Sequence, residues 1–132
     1  MLLSVACSVQ DNTISDIWSQ GVKMLGASSL VVTRNRIADT RQGIGLKTHP
    51  LGECRDNTVS HNMILNTGTP GSFGVRAPDR VPFGSTAGID LRNSRSNSIV
   101  YNVIANDDPA AEMAFAFLTD ANPNLRSGNL IR

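Results

Sequence analysis

A right-handed parallel β-helix, an all-β solenoid of about five coils, is the fold class this sequence predicts. Three observations carry it. A short Asn-and-Ile unit recurs along the chain, and a Gly-aliphatic-x-aliphatic unit falls between its copies. The composition also suits tightly turned β structure: only 17% of residues are charged, below the usual quarter, while Gly and Asn are abundant.

The first unit is clearest in Asn57-Thr-Val-Ser-His-Asn62-Met-Ile64 and Asn97-Ser-Ile-Val-Tyr-Asn102-Val-Ile104, which agree at every informative position. Its core recurs as Val32-Thr-Arg-Asn35-Arg-Ile37 and Val9-Gln-Asp-Asn12-Thr-Ile14. A degraded copy, Asn124-Leu-Arg-Ser-Gly-Asn129-Leu-Ile131, closes the series with Arg126 at an aliphatic position. The second unit reads Gly21-Val-Lys-Met24, Gly43-Ile-Gly-Leu46, Gly88-Ile-Asp-Leu91 and, loosely, Ala114-Phe-Ala-Phe117. Alternation over so few residues is a strand signal, and one unit of each kind makes one coil.

The chain then reads as a single domain over residues 1–132. The largest interval between units, residues 67–86, carries Pro70, Pro78 and Pro82. It cannot be a central strand and is expected to be a loop inserted on one side of the solenoid. Asp107-Asp108-Pro109 reads as a helix start, with Asp capping and Pro at the first helical position.

Stacking the copies predicts the interior. One column is Val9, Val32, Val59 and Ile99, and a second is Ile14, Ile37, Ile64, Ile104 and Ile131. A third is Val22, Ile44, Ile89 and Phe115, and a fourth is Met24, Leu46, Leu91 and Phe117. Coils ~4.8 Å apart would pack each residue on its counterparts above and below. The Asn at 12, 35, 62, 102 and 129 should form a further column. Asn tolerates the left-handed backbone of a sharp bend, and stacked amides can hydrogen-bond along the axis. A leucine-rich repeat lacks its helical half here, and the six-residue period of a left-handed β-helix is missing.

Charge and cysteine usage narrow the function classes. Net charge is +1, so no nucleic-acid partner is expected. No stretch is apolar enough to span a membrane, and the start lacks the basic region and long apolar run of a signal peptide. The compartment is left open. Cys7, Cys54, His49 and His61 have no zinc spacing, so neither metal nor cofactor is expected. The two cysteines fall in different columns two coils apart, ~9–10 Å of rise, beyond the ~7 Å a disulfide allows.

The repeated Asn-x-Ile-x-x-Asn-x-Ile and Gly-Ile-x-Leu units resemble the parallel β-helix repeats of the pectin-lyase-like superfamily, over residues 5 to 131. The resemblance implies that a polysaccharide, if bound, lies along the outer face of one sheet. Alternation places Lys23, Lys47, Asp90 and Arg92 outward, with Lys47 and Arg92 as neighbours on adjacent coils. They would form a cationic spot suited to a uronate carboxylate; the plainer reading is an ordinary solvated face. A second strip is the position before each ladder Asn: Asp11, Arg34, His61 and Tyr101. Turned outward, it could bind sugar, with His61 able to act as a base; the plainer reading is a set of turn residues.

Catalytic signatures of that superfamily do not carry over. The hydrolases carry clustered Asp residues with a Gly-His-Gly segment, which is missing. The lyases carry Arg-x-Pro-x-x-Arg, and Arg76-Ala-Pro78-Asp-Arg80 is one residue short. The resemblance therefore implies carbohydrate binding or processing without a complete catalytic site; any enzyme would be lyase-, hydrolase- or epimerase-like. The alternative is a structural or assembly module of tailspike type. Either way, open solenoid ends expose strand edges, so a homo-oligomer is expected.

Overall fold

In a computed structural model of the chain, residues 7–68, 87–107, 115–119 and 123–132 are described. Among them every regular element is a strand. In chain order they are β1 (Ser8–Gln10), β2 (Thr13–Leu25), β3 (Val31–Thr33), β4 (Arg36–Lys47), β5 (Cys54–Arg55), β6 (Thr58–Ser60) and β7 (Met63–Leu65). There follow β8 (Ala87–Asp90), β9 (Ser94–Arg95), β10 (Ser98–Val100), β11 (Val103–Ala105), β12 (Phe115–Leu118), β13 (Leu125–Ser127) and β14 (Leu130–Ile131).

All strand pairs are parallel, as winding one chain in a single sense requires. One five-stranded sheet runs β1-β3-β6-β10-β13. The long β4 joins two further faces: its first part pairs with β7 and its second with β8. Between them Asp39 turns the backbone at φ 52°. A small third sheet pairs β5 with β9.

The register is the one the repeats predict. Val9, Val32, Val59 and Ile99 are successive partners, as are Ile14, Ile37, Ile64, Ile104 and Ile131. The middle members of both columns are fully buried, each worth roughly 1.5–3 kcal/mol of transfer free energy. Arg126, the misfit in the last copy, partners Ile99 and holds its guanidinium 5.6 Å from the centre of the Phe117 ring. A cation over an aromatic face covers the apolar column where an aliphatic side chain is missing.

Two expectations need correction. Phe117, not Phe115, partners Ile89, and Phe115 partners Ala87. The slip is two residues, which leaves Phe117 packed against the core. The left-handed bend also lies one residue before each ladder Asn. Asp11, Arg34, His61 and Tyr101 have φ of 58°, 53°, 55° and 56°, and Gly128 has 64°. The Asn residues do the hydrogen bonding instead. Asn35 donates its backbone N–H and its Nδ2 to Asn62 Oδ1, both at 3.0 Å. Asn62 does the same toward Asn102, and Asn102 toward Asn129.

A second ladder, unforeseen in the sequence, links Asn57, Asn97 and Asn124 by the same paired bonds. Leu30 occupies the preceding place and contributes only its backbone N–H, to Asn57 Oδ1.

The Gly of the second unit has a packing cause. A Cβ on Gly43 would lie 2.4 Å from the Gly88 carbonyl oxygen and 2.5 Å from Ile64 Cγ2. Here the face turns so closely over the Ile column that no side chain fits.

Cys54 is buried and forms no disulfide with the exposed Cys7; burial pushes its thiol up to about 11. No helix among the described residues is long and apolar enough to cross a membrane. The expected helix at 108–112 and residues 69–86 of the insertion lie outside the described residues.

Candidate functional site

Asp90 is the centre of the outer-face cluster. Its neighbours in sequence, Ile89 and Leu91, are fully buried in the core, so alternation turns the carboxylate outward. It is nonetheless completely shielded from solvent, which corrects the expectation of an exposed acid. Lys47 Nζ stands 3.2 Å from Oδ2, and Arg92 contributes a terminal nitrogen at 2.9 Å to the same oxygen. The Arg92 Nε and backbone N–H both donate to Oδ1 at 3.1 Å. Gln42 Nε2 approaches Oδ2 at 3.4 Å.

Burial alone would raise the Asp90 carboxyl. The Arg92 side chain and backbone N–H, and then Lys47, outweigh it and hold the group below the ordinary carboxylate value. The carboxylate is thus ionised and accepts only. It is an anchor for cations, not a proton donor.

The same face carries an amide relay. Gln20 Nε2 donates to Gln42 Oε1 at 2.6 Å, and Gln42 in turn points its Nε2 at Asp90. These groups border a depression of ≈250 Å³ lined by Ser19, Gln20, Arg41, Gln42, Lys47 and Arg92. That is just below the ~300–1,000 Å³ of sites for drug-sized ligands. Lys47 and Arg92 against Asp90 leave one positive charge in excess. Lys23 is exposed and takes no part in this ion cluster.

The Lys47–Arg92 neighbourhood was therefore legible, but as two unattached cations rather than two cations clamped on a buried acid. Gln20, Gln42, Ser19 and Arg41 were not foreseen. Their one signal is the dipeptide Gln20-Gly21, repeated as Gln42-Gly43 at the head of the second unit.

The corner strip forms as drawn, with all four side chains outward and exposed. Its members engage each other in pairs. Arg34 grips Asp11 with Nε and a terminal nitrogen, both at 2.7 Å. The Arg34 hydrogen bond, helped by its charge, lowers the Asp11 carboxyl. His61 and Tyr101 lie with ring centroids 5.5 Å apart and planes inclined by 33°. The Tyr101 ring also lies close to Gly128, where a Cβ would sit 2.5 Å from Cδ1 and Cε1. Tyr101 thus has a neighbour on the coil before it and on the coil after it, while 59% of the residue stays exposed.

A larger, more open groove of ≈440 Å³ is lined by Ser96, Asn97, Ser98, Pro123, Asn124 and Leu125. Its described lining residues carry no charged side chain. No group of three or more His, Cys, Asp or Glu able to hold a metal ion occurs among the described residues.

A family model for the right-handed beta helix region matches residues 4–80, more than half of the chain. No curated protein and no solved structure matches it.

Proposed function

The chain belongs to the right-handed β-helix family, and on that premise we propose that it binds an acidic polysaccharide in the Lys47–Arg92 depression. One observation supports this reading above the others: a fully buried carboxylate holds two partly exposed cations at the edge of a polar hollow. Cations fixed by a buried partner meet an anionic ligand with little rotamer entropy left to lose. A uronate carboxylate suits the one positive charge that Asp90 leaves unbalanced on Lys47 and Arg92, and the amides and hydroxyl of Gln20, Gln42 and Ser19 suit sugar hydroxyls. The reading is of binding, because an acceptor-only Asp90 cannot protonate a leaving group.

Calorimetric titration with a galacturonic acid oligomer tests it. Saturable binding is expected, at least about tenfold weaker in Arg92→Met, in line with the loss of a charge-assisted hydrogen bond. The fully methyl-esterified oligomer should not bind. No heat with the acid form, or equal heat from the ester, overturns the reading.

A second reading, self-association of tailspike type, is favoured by Leu125, Leu130 and Ile131, which are 60%, 44% and 52% exposed on β13 and β14. A second copy pairing along those edges would cover them. Light scattering of the 132-residue chain at micromolar concentration should then give twice the 14.1 kDa monomer mass or more; a clean monomer removes this reading.

A further inference from the structure

The amide relay has a direction, and the direction specifies a ligand atom. Asp90 is ionised and can only accept, so Gln42 must offer it the amide nitrogen rather than the oxygen. Gln42 Oε1 is thereby turned to Gln20, which must answer with its own nitrogen, at 2.6 Å. The polarity set by one buried carboxylate passes across two strand pairings, from β8 through β4 to β2. It leaves Gln20 Oε1 as the terminal acceptor at the rim. Gln20 is held there by Gly45, whose missing side chain makes the space: a Cβ on Gly45 would lie 2.2 Å from Gln20 Nε2.

We propose that Gln20 is a specificity-determining residue of this site, its Oε1 accepting a sugar hydroxyl while Lys47 and Arg92 hold a carboxylate. The inference rests on the acidic-polysaccharide reading above and adds to it a demand for a hydroxyl donor. The two ends of the relay are separated by two strand spacings, ~9–10 Å. A short carboxylate does not reach across that distance, whereas a uronate oligomer lying along the solenoid axis does. A polyanion without hydroxyls satisfies only the cationic end.

The test compares two probes of equal charge, trigalacturonate and tricarballylate, which carries three carboxylates and no hydroxyl. Wild-type protein should prefer trigalacturonate by about fivefold, the ordinary worth of one hydrogen bond. Gln20→Leu should abolish the preference by weakening trigalacturonate alone. Gln42→Met, which breaks the relay from a different strand, should do the same, so the result does not hang on one variant's folding; circular dichroism monitors both. A preference that survives both substitutions, or losses equal for the two probes, overturns the role of Gln20 while leaving the acidic-ligand reading intact. If neither probe binds the wild-type protein, that reading falls and the role of Gln20 with it.

Discussion

Two of the outward clusters of charged and polar side chains among the described residues are built on opposite principles. At the corner, Asp11, Arg34, His61 and Tyr101 stand on left-handed turn residues, are all exposed, and find their partners among themselves. On the β4–β8 face, Lys47 and Arg92 share one carboxylate that no solvent reaches. An exposed ion pair is screened and weakly oriented. A buried acceptor fixes the cations above it and transmits its polarity through Gln42 to Gln20. Stacking of like turns is enough to make the first cluster; the second needs a specific residue on each of several coils.

The largest effect expected from breaking such a buried polar contact lies inside the ladder. Asn62→Ala leaves the Asn35 N–H and Nδ2 without their shared acceptor in a buried setting. It should cost about 3 kcal/mol in urea unfolding. Asn12→Ala, at an exposed ladder position, should cost less than about 1 kcal/mol. Similar losses at both positions would show that burial is not what gives the ladder its strength.

Next comes the anchor. Asp90→Ala leaves Lys47 facing Arg92 with no anion between them and should destabilise by about 2 kcal/mol, below the full value for a buried pair because both cations are partly exposed. The pH dependence follows from the lowered Asp90 value. A carboxyl depressed in the folded state contributes stability above its unfolded value of about 3.9, and the contribution is lost as pH falls through the lower folded value. The difference between wild type and Asp90→Ala should therefore be constant above about pH 5 and close below about pH 4. A gap that closes near neutrality would assign the effect to another group.

At the corner the effects should be smaller. Tyr101→Ala uncovers Gly128 and one side of His61, for a loss of about 1 kcal/mol. Arg34→Ala should leave stability unchanged within error, and in about 1 M salt, where the screening length is ~3 Å, the wild type should behave alike. A large Arg34 effect would erase the distinction between the clusters.

How much of this was legible follows the same division. The Ile column and the Asn ladder were readable because each coil repeats the same residue for the same reason. The Phe115–Phe117 slip arose where the repeat loosens to Ala114, so no Gly marks the register. The left-handed bend was assigned one residue late because Arg34 and Tyr101 do not advertise positive φ; Asp11, His61 and Gly128, each beside a ladder Asn, were the available clues. Asp90 was placed on the correct face and given the wrong exposure. Alternation tells which way a side chain points, while what covers it depends on coils distant in sequence.

The most direct measurement is a two-dimensional ¹H–¹⁵N titration of the chain with trigalacturonate. The account predicts that the side-chain amides of Gln20 and Gln42 and the Arg92 Nε–H shift along one saturable curve while His61 and Tyr101 stay still. Shifts centred on His61 and Tyr101, or none at all, would contradict it.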